Sequence, residues 1–375
     1  MGRPRAGGRP VSGPRVGVHA LALRTGGGVT WLRRLVPALA DVWPEASLHV
    51  LARAEVAGPV AAVRARATWT VRRAPGGAAR ALVEGGFARA WARGAALDVV
   101  LVAAEAGPSA WPCPWVVVAQ NVKVATGRGL RYALLRRAAR AAVRGAAATV
   151  FVSEAHRRAA APVLAPRREV VIPHGVVPPP PGPFPRPIEG PYVLVVATGY
   201  AHKDLPTAVG AVRAARRAGR PERLAWVGAP VDAGVVAAVR AAAADDPDLL
   251  VEVGPVDAAA LEAWYAHAAA LVLPSREESS GMPVAEALAR GVPVIASDLP
   301  ALVETAGGAA RHHPVGDVAA AGALLTQVLS CPGDMAGRLE SGRAWAATRT
   351  WAEAARRYRR VLEESLVRAT GPAAR

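Results

Sequence analysis

The sequence predicts an α/β protein of two Rossmann-like domains, and three observations support this prediction. Short apolar runs alternate with helical patterns along most of the 375 residues, as expected for parallel sheets covered by helices. A proline-rich segment at 177–187, VPPPPGPFPRP, can form neither strand nor helix, and the alternation resumes after it. The chain is long enough to build a hydrophobic core on each side of this linker.

We therefore expect a basic, mobile tail at 1–14, a first domain at 15–176, a linker at 177–190 and a second domain at 191–350, followed by a helix at 351–375. Apolar residues recur at helical spacing in that last helix: Trp351, Ala355, Tyr358 and Leu362.

The first domain opens on a predicted strand at 16–23, followed by the glycines Gly26, Gly27 and Gly28. Glycines at a strand-to-helix turn let the backbone approach a ligand closely. The next helix carries apolar residues at helical spacing: Leu32, Leu35 and Leu39. Similar apolar runs predict further strands: 47–52, 97–104, 115–119, 148–153 and 169–177.

Two amide side chains, Gln120 and Asn121, follow the predicted strand at 115–119. Ligands of open parallel sheets bind at the carboxyl ends of strands, and amides can hydrogen-bond sugar hydroxyls without acting as acids or bases. An ordinary polar turn would have the same composition, so both interpretations stay open.

Positive charge is concentrated in the first half of the chain. The formal net charge is +17, and the whole excess of arginine over acidic residues lies before Gly190. A concentration of positive charge in one half of the chain implies an anionic partner for that half, which could be a membrane surface, a nucleic acid or an acidic acceptor. The predicted helix at 128–147 places four arginines on one side: Arg136, Arg137, Arg140 and Arg144, with Leu134, Leu135, Ala138 and Ala142 elsewhere. It is either a membrane-surface helix or a solvated face in an arginine-rich chain.

Cysteine content and hydropathy indicate the compartment. Two cysteines cannot form a disulfide framework, which suits a reducing environment. No apolar run reaches the roughly 18 to 20 residues that span a bilayer, and no signal-peptide pattern follows the basic N-terminus. We expect a cytoplasmic protein that could lie at the inner face of the cell membrane.

The second domain is organised around the stretch 274–297, PSREESSGMPVAEALARGVPVIAS. Apolar runs on both sides predict buried strands, and Pro283 and Gly291 bound a short helix between them. Glu278 lies in the loop before this helix and Glu286 lies within it. The loop residues lead into a helix N-terminus, which presents free N–H groups to an anion: Ser279, Ser280, Gly281 and Met282.

This stretch resembles the signature of retaining nucleotide-sugar glycosyltransferases of the two-Rossmann-domain (GT-B) type, in the large family numbered four. The signature is P-S-x-x-E-G-F-G-x-P-x-x-E-A, and the register selects Glu278 rather than Glu277 as its first carboxylate. Ser279 and Ser280 depart from the pattern. Seven positions match it: Pro274, Ser275, Glu278, Gly281, Pro283, Glu286 and Ala287.

The resemblance implies a role for each candidate residue in the second domain. Glu278 would hold donor-sugar hydroxyls, Glu286 the nucleotide ribose, and Lys203 with the N–H groups of 280–282 the diphosphate. Family members carry an arginine five residues before this lysine, where Thr198 stands here. Two loop positions and the helix-opening proline complete the expected donor site: Gly228, Val256 and Pro283.

For the rest of the chain, the resemblance implies that the glycine loop at 26–28 and the pair Gln120 and Asn121 line the acceptor side. It also implies that the C-terminal helix returns to the first domain. The implied co-substrate is a UDP- or GDP-sugar, with no bound cofactor and no metal. A catalytically inactive glycosyltransferase-like binding protein, or a nucleic-acid-binding protein, remains the alternative.

Overall fold

The computed structural model describes residues 13–24, 26–57, 66–73 and 77–370. The chain divides into two compact units. Unit 1 comprises Met1–Phe151, Ala160–Ile172 and Ala352–Arg375, and unit 2 comprises Val152–Ala159 and Pro173–Trp351. Most of the predicted basic tail, residues 1–12, lies outside the described residues.

Unit 1 contains a sheet of seven parallel strands in the order β3-β2-β1-β4-β5-β6-β7. The strands are β1 (Arg15–His19), β2 (Ser47–Arg53), β3 (Thr68–Arg72), β4 (Val99–Val102), β5 (Trp115–Ala119), β6 (Ala148–Phe151) and β7 (Glu169–Val171). The helices of this part of the chain are Gly27–Val42, Ala54–Ala57, Gly77–Gly94, Lys123–Thr126, Leu130–Arg144 and Glu154–Leu164, with Trp351–Thr370 at the C-terminal end.

Unit 2 contains six parallel strands in the order β10-β9-β8-β11-β12-β13. They are β8 (Tyr192–Val196), β9 (Arg223–Val227), β10 (Leu250–Gly254), β11 (Ala270–Leu273), β12 (Val294–Ser297) and β13 (Arg311–His313). Its helices are Leu205–Arg217, Ala233–Ala243, Ala258–Ala266, Met282–Ala289, Pro300–Ala306, Val318–Ser330 and Ala336–Ala347, and short 3₁₀ turns occupy Ala201–Lys203 and Pro332–Met335.

The predicted α/β class and the alternation of strands and helices are confirmed, but four predicted strands extend beyond the observed ones. The strands expected at 97–104 and 169–177 span only Val99–Val102 and Glu169–Val171. The strand expected at 16–23 ends at His19, because the N–H of Leu23 turns back to the carbonyl of Ala20. The strand expected at 148–153 ends at Phe151, because a helix begins at Glu154. The sequence stays apolar beyond the last residue of the strand because the turn that follows is also buried.

The helical spacings of the sequence mark the buried faces of their helices. Leu32, Leu35 and Leu39 are buried in unit 1. Tyr358, from the C-terminal helix, is also buried there, and its hydroxyl accepts a hydrogen bond of 3.2 Å from the indole N–H of Trp31. The C-terminal helix therefore packs with the first part of the chain, as the resemblance implies.

Each sheet has one point where the strand order reverses. In unit 1 this point lies between β1 and β4, and in unit 2 it lies between β8 and β11. Two successive crossovers leave the sheet in opposite directions there, which opens a crevice beyond the carboxyl ends of the strands. The loops after these four strands are therefore where ligand-binding residues are expected.

Candidate active site

In unit 2, the loops after β8 and β11 bring two predicted residues into contact. Lys203 Nζ lies 2.5 Å from Glu278 Oε1, and both side chains are largely buried. The hydroxyl of Ser275 donates to the same carboxylate oxygen at 3.0 Å. An ammonium and a carboxylate thus meet at the switch point of this sheet, where a ligand carrying both phosphate and hydroxyl groups could engage each of them.

The turn that carries Lys203 is held in an unusual conformation. Asp204 has a φ of 49°, which is uncommon for a residue with a side chain. Its Oδ2 accepts a hydrogen bond from the hydroxyl of Thr207 at 2.9 Å and pairs with Arg276 Nη2 at 2.9 Å. The N–H of Arg276 donates to the carbonyl of His202 at 2.7 Å. These contacts join the loop of Lys203 to the loop of Glu278.

The signature helix begins one residue before Pro283, the residue predicted to open it. Met282 is its first residue, Pro283 follows, and Gly281 precedes it with a φ of 77°. A φ in this left-handed region favours glycine. The positive end of the helix dipole therefore points into the loop that contains Glu278.

Glu286 takes part in a buried network on the signature helix. Its Oε2 accepts a hydrogen bond of 2.8 Å from the hydroxyl of Tyr265. Arg290, one turn further on, pairs with Glu262 at 2.5 Å and covers the ring of Tyr265. Burial and the adjacent Glu286 carboxylate raise the pKa of Tyr265, which keeps its hydroxyl protonated as a donor. The network fixes the orientation of the Glu286 carboxylate.

The two predicted positions for the nucleotide lie after β9 and β10. Gly228 has a φ of 154°, and a Cβ atom there would lie 1.9 Å from the carbonyl oxygen of Ala197, so no other residue fits. Val256 is partly buried against the hydrophobic core that includes Tyr265. Gly254, the last residue of β10, has a φ of 78°, which favours glycine.

In unit 1, the glycine loop has the predicted form. Gly26 has a φ of 69° and caps the helix that begins at Gly27. A Cβ atom on Gly28 would lie 2.7 Å from a methyl group of Leu23. The loop follows β1, so it lies at one side of the switch point of this sheet.

Gln120 and Asn121 lie at the carboxyl end of β5, as predicted. The side-chain amide of Gln120 donates to the carbonyl of Ala103 at 3.1 Å. The side-chain oxygen of Asn121 accepts from the N–H of Lys123, the first residue of the next short helix, at 3.1 Å. Both amides thus contribute to the turn itself, and each keeps further donors for a ligand.

Sequence reasoning missed a buried carboxyl group beside this pair. Glu105 follows β4, is 2% exposed, and accepts hydrogen bonds from the N–H of Asn121 at 2.9 Å and of Gln120 at 3.4 Å. Burial raises the pKa of Glu105 to about 7, although the N–H donors favour the charged form. An acidic residue directly after an apolar strand was the available signal.

Unit 1 also contains a buried pair that the sequence did not suggest. His19, the last residue of β1, has its Nε2 3.1 Å from Glu84 Oε1, and both residues are buried. Its ring packs edge-on against Trp111. The two residues are 65 positions apart, so no local pattern connects them.

Potential metal ligands do not converge in the described part of the chain, where no group of three His, Cys, Asp or Glu residues could hold an ion. The Asp-Pro-Asp stretch at 246–248 precedes β10, and Asp246 pairs with Arg216 at 2.9 Å. None of the described helices is both long and apolar enough to span a membrane.

Comparison with known proteins gives one match to a family model, within the second half of the chain. Residues 190–330 match the family model described as "Glycosyl transferases group 1". This segment is therefore similar to group 1 glycosyltransferase domains. It contains the second switch point and all of the donor-site residues predicted in unit 2. No curated protein matches the chain in sequence.

Solved structures that are similar to this protein cover nearly all of the chain. Sucrose-phosphate synthase from Thermosynechococcus elongatus has a TM-score of 0.73 at 18% identity over 94% of this chain and 98% of that one. Anabaena HepE in complex with UDP-glucose has a TM-score of 0.76 at 14% identity over 93% and 99%. WaaG, a glycosyltransferase involved in lipopolysaccharide biosynthesis, has a TM-score of 0.71 at 14% identity over 92% and 99%. The fold is that of GT-B glycosyltransferases.

Proposed function

We propose that the protein transfers a sugar from a nucleotide-sugar donor to an acceptor, with retention of the anomeric configuration and without a metal ion. The observation that carries the proposal is the contact between Lys203 and Glu278 at the switch point of a domain similar to group 1 glycosyltransferase domains. It supplies a cation for the diphosphate and an acceptor for sugar hydroxyls within one site.

The chemistry requires the donor diphosphate to leave with its negative charge stabilised. The Lys203 ammonium and the N-terminus of the signature helix can supply this stabilisation. Glu278 would hold the donor sugar and Glu286 the ribose, with Gly228 and Val256 along the nucleotide. The loop at 26–28 and the amides of Gln120 and Asn121 would serve the acceptor side. Because amide side chains do not ionise near neutral pH, these two residues would orient groups and not act as bases.

A donor panel tests this proposal. We expect purified protein to bind one nucleoside diphosphate among UDP, GDP and ADP, and to hydrolyse or transfer the sugar of the matching donor in the presence of EDTA. UDP-glucose is the first donor to test because the similar HepE structure contains it. NMR of the product should show the anomeric configuration of the donor. Binding without turnover would favour the inactive binding protein, and an inverted product would contradict retention.

A second candidate property, binding to an anionic membrane surface, is supported by the helix Leu130–Arg144. Leu130 and Leu134 are 77% and 60% exposed. The sequence pattern predicts Leu134 on a side of the helix away from the arginines, and the geometry of the helix contradicts this. At 100° per residue, both leucines lie on the same side as Arg137. Arg136 instead turns inward and donates to the carbonyl of Gly127 at 2.7 Å. Exposed leucines beside arginines match a helix that lies in a lipid interface.

Vesicle sedimentation tests the membrane property. Replacing Arg137, Arg140 and Arg144 with Gln should lower binding to phosphatidylserine-containing vesicles by about a hundredfold, since each basic residue contributes on the order of 1 kcal/mol at an anionic surface. A control with the same loss of charge in unit 2, at Arg217, Arg338 and Arg343, should bind as the wild type does. Equal losses in both variants would mean that only net charge matters.

A further inference from the structure

Two buried hydroxyl groups hold the loop between Glu278 and the signature helix. The hydroxyl of Ser153 donates to the carbonyl of Ser279 at 2.6 Å, and the hydroxyl of Thr305 donates to the carbonyl of Ser280. Ser153 and Thr305 are 2% and 5% exposed, and Ser280 is 7% exposed. All of these residues belong to unit 2, although Ser153 lies 126 positions before Ser279 in the chain.

The segment that contains Ser153 is itself held firmly. The Ser153 hydroxyl accepts a hydrogen bond from the N–H of His156 at 3.0 Å, so its proton remains available for Ser279. The carboxylate of Glu304, the residue before Thr305, accepts from the N–H groups of Glu154 and Ala155, each at 2.8 Å. A carboxylate at a helix N-terminus is favourable, and here it ties the segment of Ser153 to the helix of Thr305.

Because peptide bonds are planar, these two hydrogen bonds also fix the direction of the N–H groups in the loop. In a trans peptide the carbonyl of one residue and the N–H of the next point in opposite directions. With the carbonyls of Ser279 and Ser280 directed at the two hydroxyls, the N–H groups of Ser280 and Gly281 must face away from them. Within the described part of the chain, neither N–H donates to another protein group. Successive free N–H groups that end in a left-handed glycine form an anion-binding concavity.

We infer that Ser153 and Thr305 are positioning residues for the donor diphosphate. They act through the loop, by aiming the N–H groups of Ser280 and Gly281, and do not themselves touch the donor. This inference rests on the proposed function. It is also compatible with the two serines at which the loop departs from the family signature, because these two hydrogen bonds involve their carbonyls and not their side chains.

The test compares a nucleoside diphosphate with its nucleoside. Titration calorimetry would use whichever of UDP, GDP and ADP the wild type binds, together with uridine, guanosine or adenosine. Thr305→Val and Ser153→Ala should each weaken binding of the diphosphate about fivefold, the effect of one lost hydrogen bond. Binding of the nucleoside should stay unchanged. Thr305→Ser keeps the hydroxyl and should restore diphosphate binding.

Thr326→Val is the matched control, because the Thr326 hydroxyl also donates to a carbonyl, that of Gly322, at 2.8 Å in the same unit. It should bind both ligands as the wild type does. Each variant's Tm establishes that it is folded, and Ser153→Ala keeps the test available if Thr305→Val does not fold. Unchanged diphosphate binding in Ser153→Ala or Thr305→Val, or an equal loss for the nucleoside, would overturn the inference alone. A folded wild type that binds no nucleoside diphosphate would overturn the proposed function and this inference with it.

Discussion

Replacing Lys203 with Met is expected to lower sugar transfer by about a thousandfold and to weaken binding of the nucleoside diphosphate ten- to hundredfold. Removing one preorganised charge from a site of this kind costs on the order of 10² to 10³ in rate. The variant also leaves Glu278 without its cation, and this nearly buried carboxylate would then repel the diphosphate. Steady-state kinetics and calorimetry measure the two effects separately.

Glu278→Gln should give a different result from Lys203→Met. The amide keeps the shape of the side chain but is a weaker acceptor for sugar hydroxyls, so transfer should again fall by two to three orders of magnitude. Binding of the nucleoside diphosphate should be retained or tightened, because Lys203 loses its competing partner. A variant that loses diphosphate binding would contradict the assignment of Glu278 to the sugar.

Two controls accompany this pair of variants. Glu277→Gln changes the neighbouring carboxylate and should retain activity, which tests the register that the signature predicts. Lys123→Met replaces the other lysine of the chain, which lies in unit 1 and not at the site of Lys203. A loss of activity in Glu277→Gln comparable with that of Glu278→Gln would mean that the first carboxylate of the signature is misassigned.

Glu105 should make the stability of unit 1 depend on pH. The pKa of this carboxyl rises from 4.5 to about 7 on folding. Between these values the folded chain holds a proton that the unfolded chain has lost, so stability falls as the pH rises through this window. A difference of this size corresponds to about 3 kcal/mol in the free energy of unfolding.

Glu105→Gln should remove this dependence. Amide hydrogen exchange of β4 and β5 at pH 5 and pH 8 would measure the local free energy of opening in the wild type and the variant. We expect the wild type to lose about 3 kcal/mol more than Glu105→Gln between the two pH values. Glu340→Gln, at an exposed position on Ala336–Ala347, is the control. Parallel pH profiles for the wild type and Glu105→Gln would contradict the burial argument.

Local patterns in the sequence were sufficient for the fold class and for part of unit 2. Alternating apolar runs predicted the parallel strands because strands buried on both faces are continuously apolar. The spacing of Leu32, Leu35 and Leu39 predicted a buried helix face, and Pro283 after Gly281 predicted a helix start. Each of these features depends on residues that are close in the chain, where spacing and backbone preference are enough.

Only the tertiary structure decided which distant residues meet. Lys203 and Glu278 are 75 positions apart, and their contact depends on β8 and β11 being neighbours at the switch point. Ser153 is 126 positions from the loop it holds. Glu105 owes its raised pKa to burial, which no spacing in the sequence reports. The sequence by itself thus determined the elements and the signature loop, whereas the partners that orient this loop follow from the order of strands in the folded sheet.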